Sequence, residues 1–451
     1  MADLRQDRGW RSAVDVPFAA LCVATALALV RSIDQPGFTL DVGGSSVSFV
    51  PTDVALAFLA ALCVQRLLGS RSLPRPAVAP AVGAAAFSGW MLLSSLLNGG
   101  DAIVAAAKLL EYGILALGVV LFVRRRIQLW LLTGVLGAFT VAAVGYGLLA
   151  FFDVPGTNAL YPGGRQPSFL GEHDLAALAT MVLAVGLAGV FAPSPWLRRL
   201  RAGAIAVGSI GVVLGAALAG LLALYLTVGG ITAIAVARGA ATTRRLLTTG
   251  GVTLAITIGA LALRTGEIGA FLRSFGIGEQ RADPYGNAAS WNERLIDAYI
   301  GGRIFLDNPV VGTGWHGQLP PEEYVHYLDD ARARFPDQPA NYFPSREGFI
   351  PQQTYDQILY ELGIVGAFLF LALALVVLRA ATRVARAWPL GGPEEALAYL
   401  PLAWVLALAG GLAGAALFGG IPLAAMFWTT IGVAALAPSL VPPGPPPELT
   451  S

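Results

Sequence analysis

Apolar runs of about 20 residues recur from one end of the chain to the other. At 1.5 Å per residue, a helix of that length crosses the ~30 Å hydrocarbon core of a bilayer. The runs fall at 15–32, 52–69, 77–97, 102–123, 128–151, 173–192, 203–219, 220–238, 247–263, 361–380, 396–416 and 420–438. Residues 202–237 are almost continuously apolar, so the pattern alone admits two spans, a buried hairpin or one bent helix there. The first run lacks a small-residue cleavage site and is followed by many more, so it reads as a span, not a cleaved leader.

Arginine marks every second loop: Arg5, Arg8 and Arg11 before the first span, then Arg66, Arg71 and Arg75, then Arg124, Arg125 and Arg126. The series continues with Arg198, Arg199 and Arg201, with Arg238, Arg244 and Arg245, and with Arg379, Arg383 and Arg386. Basic residues collect in cytoplasmic loops, which predicts that both termini are cytoplasmic. The expected fold is an all-α polytopic membrane protein of about 12 transmembrane helices, with a large helical extracytoplasmic loop between spans nine and ten. It divides into spans one to nine at 1–263, a helical cap at 264–360, spans ten to twelve at 361–440, and a Pro-rich disordered cytoplasmic tail at 441–451.

Three outward loops have content. Phe38 to Val50 alternates apolar and polar positions around Gly43 and Gly44, predicting a small β-hairpin. Asp153 to His173 contains Gly and Pro with Arg165, Glu172 and His173. In the long third loop, Ile268, Phe271, Leu272 and Phe275 share the spacing of a short interfacial helix. Ser290 and Glu293 have capping-box spacing ahead of a helix from Trp291 to Leu306, stopped by Pro309. A further helix is expected to begin at Pro320 and Pro321.

Composition agrees with a membrane chain: 56% of residues are hydrophobic and 13% charged, against about 25% charged in soluble domains. The net charge of +1 carries no concentrated basic face, which sets nucleic acid aside as a partner. Cys22 and Cys63 sit in apolar runs and read as packing residues. No zinc, phosphate-loop or serine-hydrolase spacing occurs, so neither a metal nor a motif-bound cofactor is expected.

Candidate chemistry comes from the few polar residues at the outer face. Lys108 and Glu111 share one helical face; they either pair with each other or place Lys108 at the wall of an anionic lipid site. Arg165, Arg281, Arg294 and Arg303 lie in outer loops. A lone arginine there is ordinarily a solvated surface residue, whereas two converging on one cavity from separate loops would form a pyrophosphate clamp. His173 beside Glu172 opens span six, as a general base or merely as part of a helix start. His316 follows the tight turn Gly312-Thr313-Gly314-Trp315, which could aim it at the cavity. His326 lies in a charged helix and reads as a surface residue.

The stretch Trp291-Asn292-Glu293-Arg294, then Asn308-Pro309-Val310-Val311-Gly312-Thr313-Gly314, then Gln352 through Gly366 with Glu361-Leu362-Gly363-Ile364-Val365-Gly366, resembles the O-antigen ligase and polymerase superfamily. Arg165 through Ala177, with Glu172-His173-Asp174, is similar to the segment before that family's sixth span. The informative motifs cover about a quarter of the chain.

The resemblance implies a metal-independent C-type membrane glycosyltransferase in the bacterial cytoplasmic membrane, with its active site facing outward. Its donor would be a polyprenyl-diphosphate-linked glycan, such as one on undecaprenyl diphosphate, and its acceptor a glycan or lipid-glycan. Carried over by position, Arg165 and Arg294 are candidates for the diphosphate, with Arg303 and Lys108 as further cations. His316, Glu172 and His173 are candidates for catalysis, and Gln352, Gln353 and Tyr355 for other substrate contacts. Two departures stand out. Gln352 occupies the position of the ligases' catalytic histidine and Gln353 that of an asparagine, and glutamine cannot accept a proton at neutral pH. The arginine common in the turn between spans seven and eight is absent, the turn reading Gly215 to Gly220 without a charge. Of these departures, Gln352 favours a polymerase slightly over a ligase. They leave open a noncatalytic relative that binds lipid-linked glycans, and a secondary transporter is the competing class.

Overall fold

The computed structural model describes residues 14–42, 45–70, 73–157, 164–192, 197–265, 289–317, 319–346, 351–392 and 394–442. The expected interfacial helix around 268–275, Arg281 and most of the tail lie outside these residues.

The described chain is a helix bundle with one small hairpin. Its elements are α1 (Val16–Ala28), β1 (Phe38–Val42), β2 (Ser45–Phe49), α2 (Pro51–Ser70), α3 (Arg75–Asn98), α4 (Gly100–Glu111), α5 (Gly113–Phe122) and α6 (Arg126–Phe151). Then come α7 (Glu172–Phe191), α8 (Leu197–Gly215), α9 (Leu218–Ala237), α10 (Thr243–Ala262), α11 (Ala289–Asp307), α12 (Pro321–Arg334), α13 (Thr354–Ala387), α14 (Leu400–Leu412) and α15 (Pro422–Leu436). Among the described residues, nine helical stretches are long and apolar enough to cross a membrane, with α4 and α5 forming one of them. Two more apolar helices, α1 and α14, have 13 residues each, and α8 begins with Arg198, Arg199 and Arg201. The architecture is that of an all-α membrane protein.

The centre is α7, buried along its whole apolar length. Its Ala- and Gly-rich surface lets neighbours approach closely, as small residues do between membrane helices. A β-carbon on Gly208 of α8 would lie 2.8 Å from Ala179 O and 2.6 Å from Leu183 Cβ. The turn between α8 and α9 resolves residues 202–237 as two helices, with Ala216 in the left-handed region at φ +42°. The hairpin pairs Phe38 with Phe49 and Val42 with Ser45.

Two segments far apart in sequence, 309–314 and 360–364, meet in space. Thr313 N and Gly314 N donate to Tyr360 O and Glu361 O at 3.1 and 2.9 Å, and Ile364 N donates to Pro309 O at 2.8 Å. This docking is possible because α13 is broken at Gly363, whose φ is +64° and whose missing β-carbon would collide with Val310 O. From α3, Ser94 Oγ donates to Val311 O at 2.8 Å and Trp90 Nε1 to Leu362 O at 2.9 Å. Consequently α13 begins at Thr354, ahead of the expected 361, with the kink inside it. The expected capping box differs too: α11 already includes Ala289, so Ser290 is a helix residue, not its cap.

A second, smaller core lies in the 289–360 region, where Ile296, Ile300 and Ile304 of α11 pack on Tyr324, Tyr327 and Leu328 of α12 and on Tyr360. Four-residue spacing puts the isoleucines on one face of α11, and its polar residues Arg294 and Asp297 lie beside that face.

At the opposite end of the bundle the arginine-bearing loops gather. Arg126 Nη1 pairs with Glu394 at 2.5 Å, Arg238 Nη2 pairs with Glu395 at 3.1 Å, and Arg126 Nε donates to Leu440 O.

Candidate functional site

The first turn of α7 follows Gly171, which takes φ +97° and has no side chain to cap the helix. Its exposed amides favour acidic neighbours, and Glu172 and Asp174 supply them. Asp174 is turned inward and accepts from Leu423 N at 3.0 Å, tying α15 to this turn. Glu172 faces the other way and holds Arg165 Nη1 at 2.7 Å.

Beside Glu172, His173 Nε2 lies 3.3 Å from Arg294 Nη2, which also donates to Gly414 O at 3.4 Å. Only glycine fits at 414, since a β-carbon there would lie 2.6 Å from His173 Nδ1. With Arg294 donating to Nε2, the ring proton belongs on Nδ1. Nδ1 is buried and has no hydrogen-bond partner among the described residues; the same is true of Arg294 Nε. Buried donors left unpaired are costly, and in a native fold they point to a missing partner.

A third guanidinium joins them. Arg264, just past the end of α10, reaches the turn between α8 and α9, where its Nη1 donates to Ala216 O at 2.8 Å. Burial pushes the Arg294 guanidinium below its ordinary value; Arg264 and Arg165 act in the same direction, while Glu172 and Asp297 oppose them. Arginine remains charged in such a setting, so the direction reports chiefly the burial of the group. Arg165, Arg264 and Arg294 therefore converge from three distant stretches on Glu172 and His173.

An apolar groove of about 510 Å³ runs between α6, α8 and α10, lined by Leu148, Phe152, Ile205, Val213, Ile256 and Leu263 among others. It ends beside the arginines. Leu263 precedes Arg264, and its lining residue Leu214 accepts from Gln166 N, next to Arg165, at 2.9 Å.

One helical turn beyond Arg294, Asp297 is buried at 8% exposure and interacts with the Gln352 side chain. Burial and, secondarily, Glu293 push its carboxyl up to about 7, against the opposing pull of Arg294 and Gln352. Gln353 is the N-cap residue of α13 without a side-chain cap, and Tyr355 donates its hydroxyl to Ala409 O at 2.7 Å.

The other sequence candidates sit elsewhere. Lys108 Nζ is held by Asp53 at 2.7 Å and Glu111 at 3.3 Å, the first a partner that spacing within one helix does not reveal. Arg303 pairs with Asp330 at 3.3 Å and is 45% exposed at its side chain. His316 takes φ +53° and stacks on Phe418, with ring centroids 4.2 Å apart. Its Nδ1 lies 3.4 Å from Glu361 and its Nε2 3.0 Å from Gln357 Nε2, so both ring nitrogens are engaged within the protein. Burial pushes this imidazole down to about 4, keeping it neutral at physiological pH.

Two residues at this end, Arg264 and Asp297, are missed by sequence reasoning. Arg264 follows the last apolar residue of its span, on the side where arginine is avoided. Asp297 lies three residues from Arg294, on the same helical face. Among the described residues no group of three or more His, Cys, Asp or Glu side chains could hold a metal ion.

No protein-family model and no curated protein matches the chain.

Proposed function

We propose that this chain is a membrane glycosyltransferase similar to the O-antigen ligases and polymerases, of their metal-independent C type. It transfers saccharide from a polyprenyl-diphosphate-linked donor to a hydroxyl of a glycan or lipid-glycan acceptor, and Gln352 at the ligases' histidine position favours chain polymerisation. The reading takes the bundle as twelve spans in a bacterial cytoplasmic membrane. The arginine-rich loops face the cytoplasm, so the Glu172 end faces outward.

The observation that carries it is the meeting of Arg165, Arg264 and Arg294 around His173, with two buried donors unpartnered. In the reaction the acceptor oxygen bonds to the anomeric carbon, the bond from that carbon to the phosphate oxygen breaks, and the diphosphate departs with the bonding pair. Charge grows on that oxygen. Fixed guanidinium groups in a water-poor site stabilise it without reorganising, and their planar forks match phosphate geometry. The apolar groove beginning at Leu263 offers an isoprenoid chain a path into the bilayer from the same point.

The test is incubation of the detergent-solubilised protein with lipid-linked saccharides extracted from its native membrane. Longer glycans and free polyprenyl diphosphate are expected, with no sealed compartment needed, which also separates the reaction from transport. If the wild-type protein forms no glycosidic product, the proposal fails.

A further inference from the structure

Glycosyl transfer needs a group that takes the acceptor's proton, and the residue at the ligases' histidine position, Gln352, cannot. Glu172 is engaged by Arg165 at 2.7 Å, and His173 Nε2 lies 3.3 Å from the Arg294 guanidinium. His316 is enclosed by Gln357, Glu361 and Phe418.

Resting on the function proposed above, we infer that Asp297 is the proton acceptor of the transfer, with Gln352 positioning its carboxylate beside the diphosphate-binding Arg294. The geometry is compact. Arg294 and Asp297 are three residues apart on α11, neighbours on one helical face. Gln352 interacts with Asp297, so the segment ahead of α13 lies against that face. Gln352 is exposed while Asp297 is nearly buried, so the pair lies at the boundary between the cap residues and open space. Nearby, the Tyr324 hydroxyl of α12 is buried, at 2% exposure of the residue, and lacks a hydrogen-bond partner among the described residues. It acts electrostatically with Asp297, and supplies a donor or acceptor for a sugar hydroxyl presented there.

The carboxylate takes the hydroxyl proton as the oxygen–carbon bond forms. The electron pair of the breaking carbon–oxygen bond leaves with the diphosphate onto the arginines. The base and one leaving-group cation, Arg294, thus share one helix, which fixes their separation. The groups facing Asp297 are Glu293 and Arg294 on α11, Gln352 ahead of α13, Tyr360 on α13 and Tyr324 on α12. Burial and Glu293 hold the carboxyl near neutrality, where a general base is most effective. It must be deprotonated to act, so kcat/KM is expected to rise with pH through about 7.

The experiment measures transfer across pH 5 to 9 with the same extracted lipid-linked saccharides, and separately the binding of polyprenyl diphosphate, for wild type, Asp297→Asn and Asp297→Glu. General-base loss costs ~10²- to 10⁴-fold. Asp297→Asn is expected to lose about that much turnover with binding retained, and Asp297→Glu to recover part of it with a displaced pH limb. Wild-type turnover and pH profile in Asp297→Asn overturn the assignment and leave the glycosyl transfer standing. Loss of polyprenyl diphosphate binding in both variants assigns Asp297 to the fold and overturns it too. Absence of product from the wild-type chain overturns this inference together with the function on which it rests.

Discussion

Arg264 Nη1 donates to the backbone oxygen of Ala216 at 2.8 Å, across the turn joining α8 to α9. The turn itself carries no charge. In this chain the guanidinium comes from the end of α10. A helix end can project a long side chain across to a neighbouring hairpin, so charge at a site need not come from the segment that lines it.

Arg264→Ala is expected to weaken polyprenyl diphosphate binding. A hydrogen bond to a charged group contributes ~1.5–3 kcal/mol, which corresponds to roughly 10- to 100-fold in Kd. Arg264→Lys should retain part of the affinity, because the point charge remains while the fork is lost. Unchanged binding in both variants, measured by titration in detergent, would remove Arg264 from the anion site.

Arg294→Ala is expected to cost ~10²- to 10³-fold in turnover, the range seen on removing one preorganised donor from developing charge. Arg294 lies beside the α11–α12 core without belonging to it, so the protein should still fold. Arg165→Ala should behave similarly and leaves Glu172 without its 2.7 Å partner. Turnover assays alongside gel filtration decide between loss of chemistry and loss of fold.

Gly363→Ala tests the kink. The position has φ +64°, and a β-carbon would strike Val310 O. The left-handed conformation alone costs an alanine ~1–2 kcal/mol, and the collision adds to it. A clear drop in Tm is expected in detergent, and the same from Gly312→Ala, whose φ is +73° and whose β-carbon would meet Glu361 O. An unchanged Tm for both would mean that the two segments do not dock as described.

His316 makes a pH prediction about stability. Burial lowers its folded value from 6.5 to about 4, so the unfolded chain binds more protons between those values. Stability therefore falls as pH drops from about 6.5 to about 4 and is unaffected by this residue above that window. His316→Gln should flatten the dependence of Tm on pH there. It should leave the limb of the activity profile near 7 in place, since His316 is already neutral at that pH.

Helix periodicity and length made the bundle legible from the sequence, because burying backbone amides in lipid leaves the chain few alternatives to a helix. The short hairpin at 38–49 was legible from its alternation for a similar reason. Boundaries were less so. The start of α13 at Thr354 depends on a break at Gly363 that is stabilised by Pro309 and Val310, more than 50 residues earlier in the chain, and no local pattern records that contact.

The sequence by itself determined a predominantly helical, bilayer-length architecture, the arginine-marked loops, and Arg165, Glu172, His173 and Arg294 as scarce polar residues to examine. Only the tertiary structure decided that Arg165 and Arg294 meet, that Arg264 joins them, that Lys108 is bound by Asp53, and that Asp297 touches Gln352. The reason is range. Hydrophobic burial leaves a periodic trace in the nearest few residues, whereas the convergence of charges separated by dozens to more than a hundred positions is set by how whole helices pack.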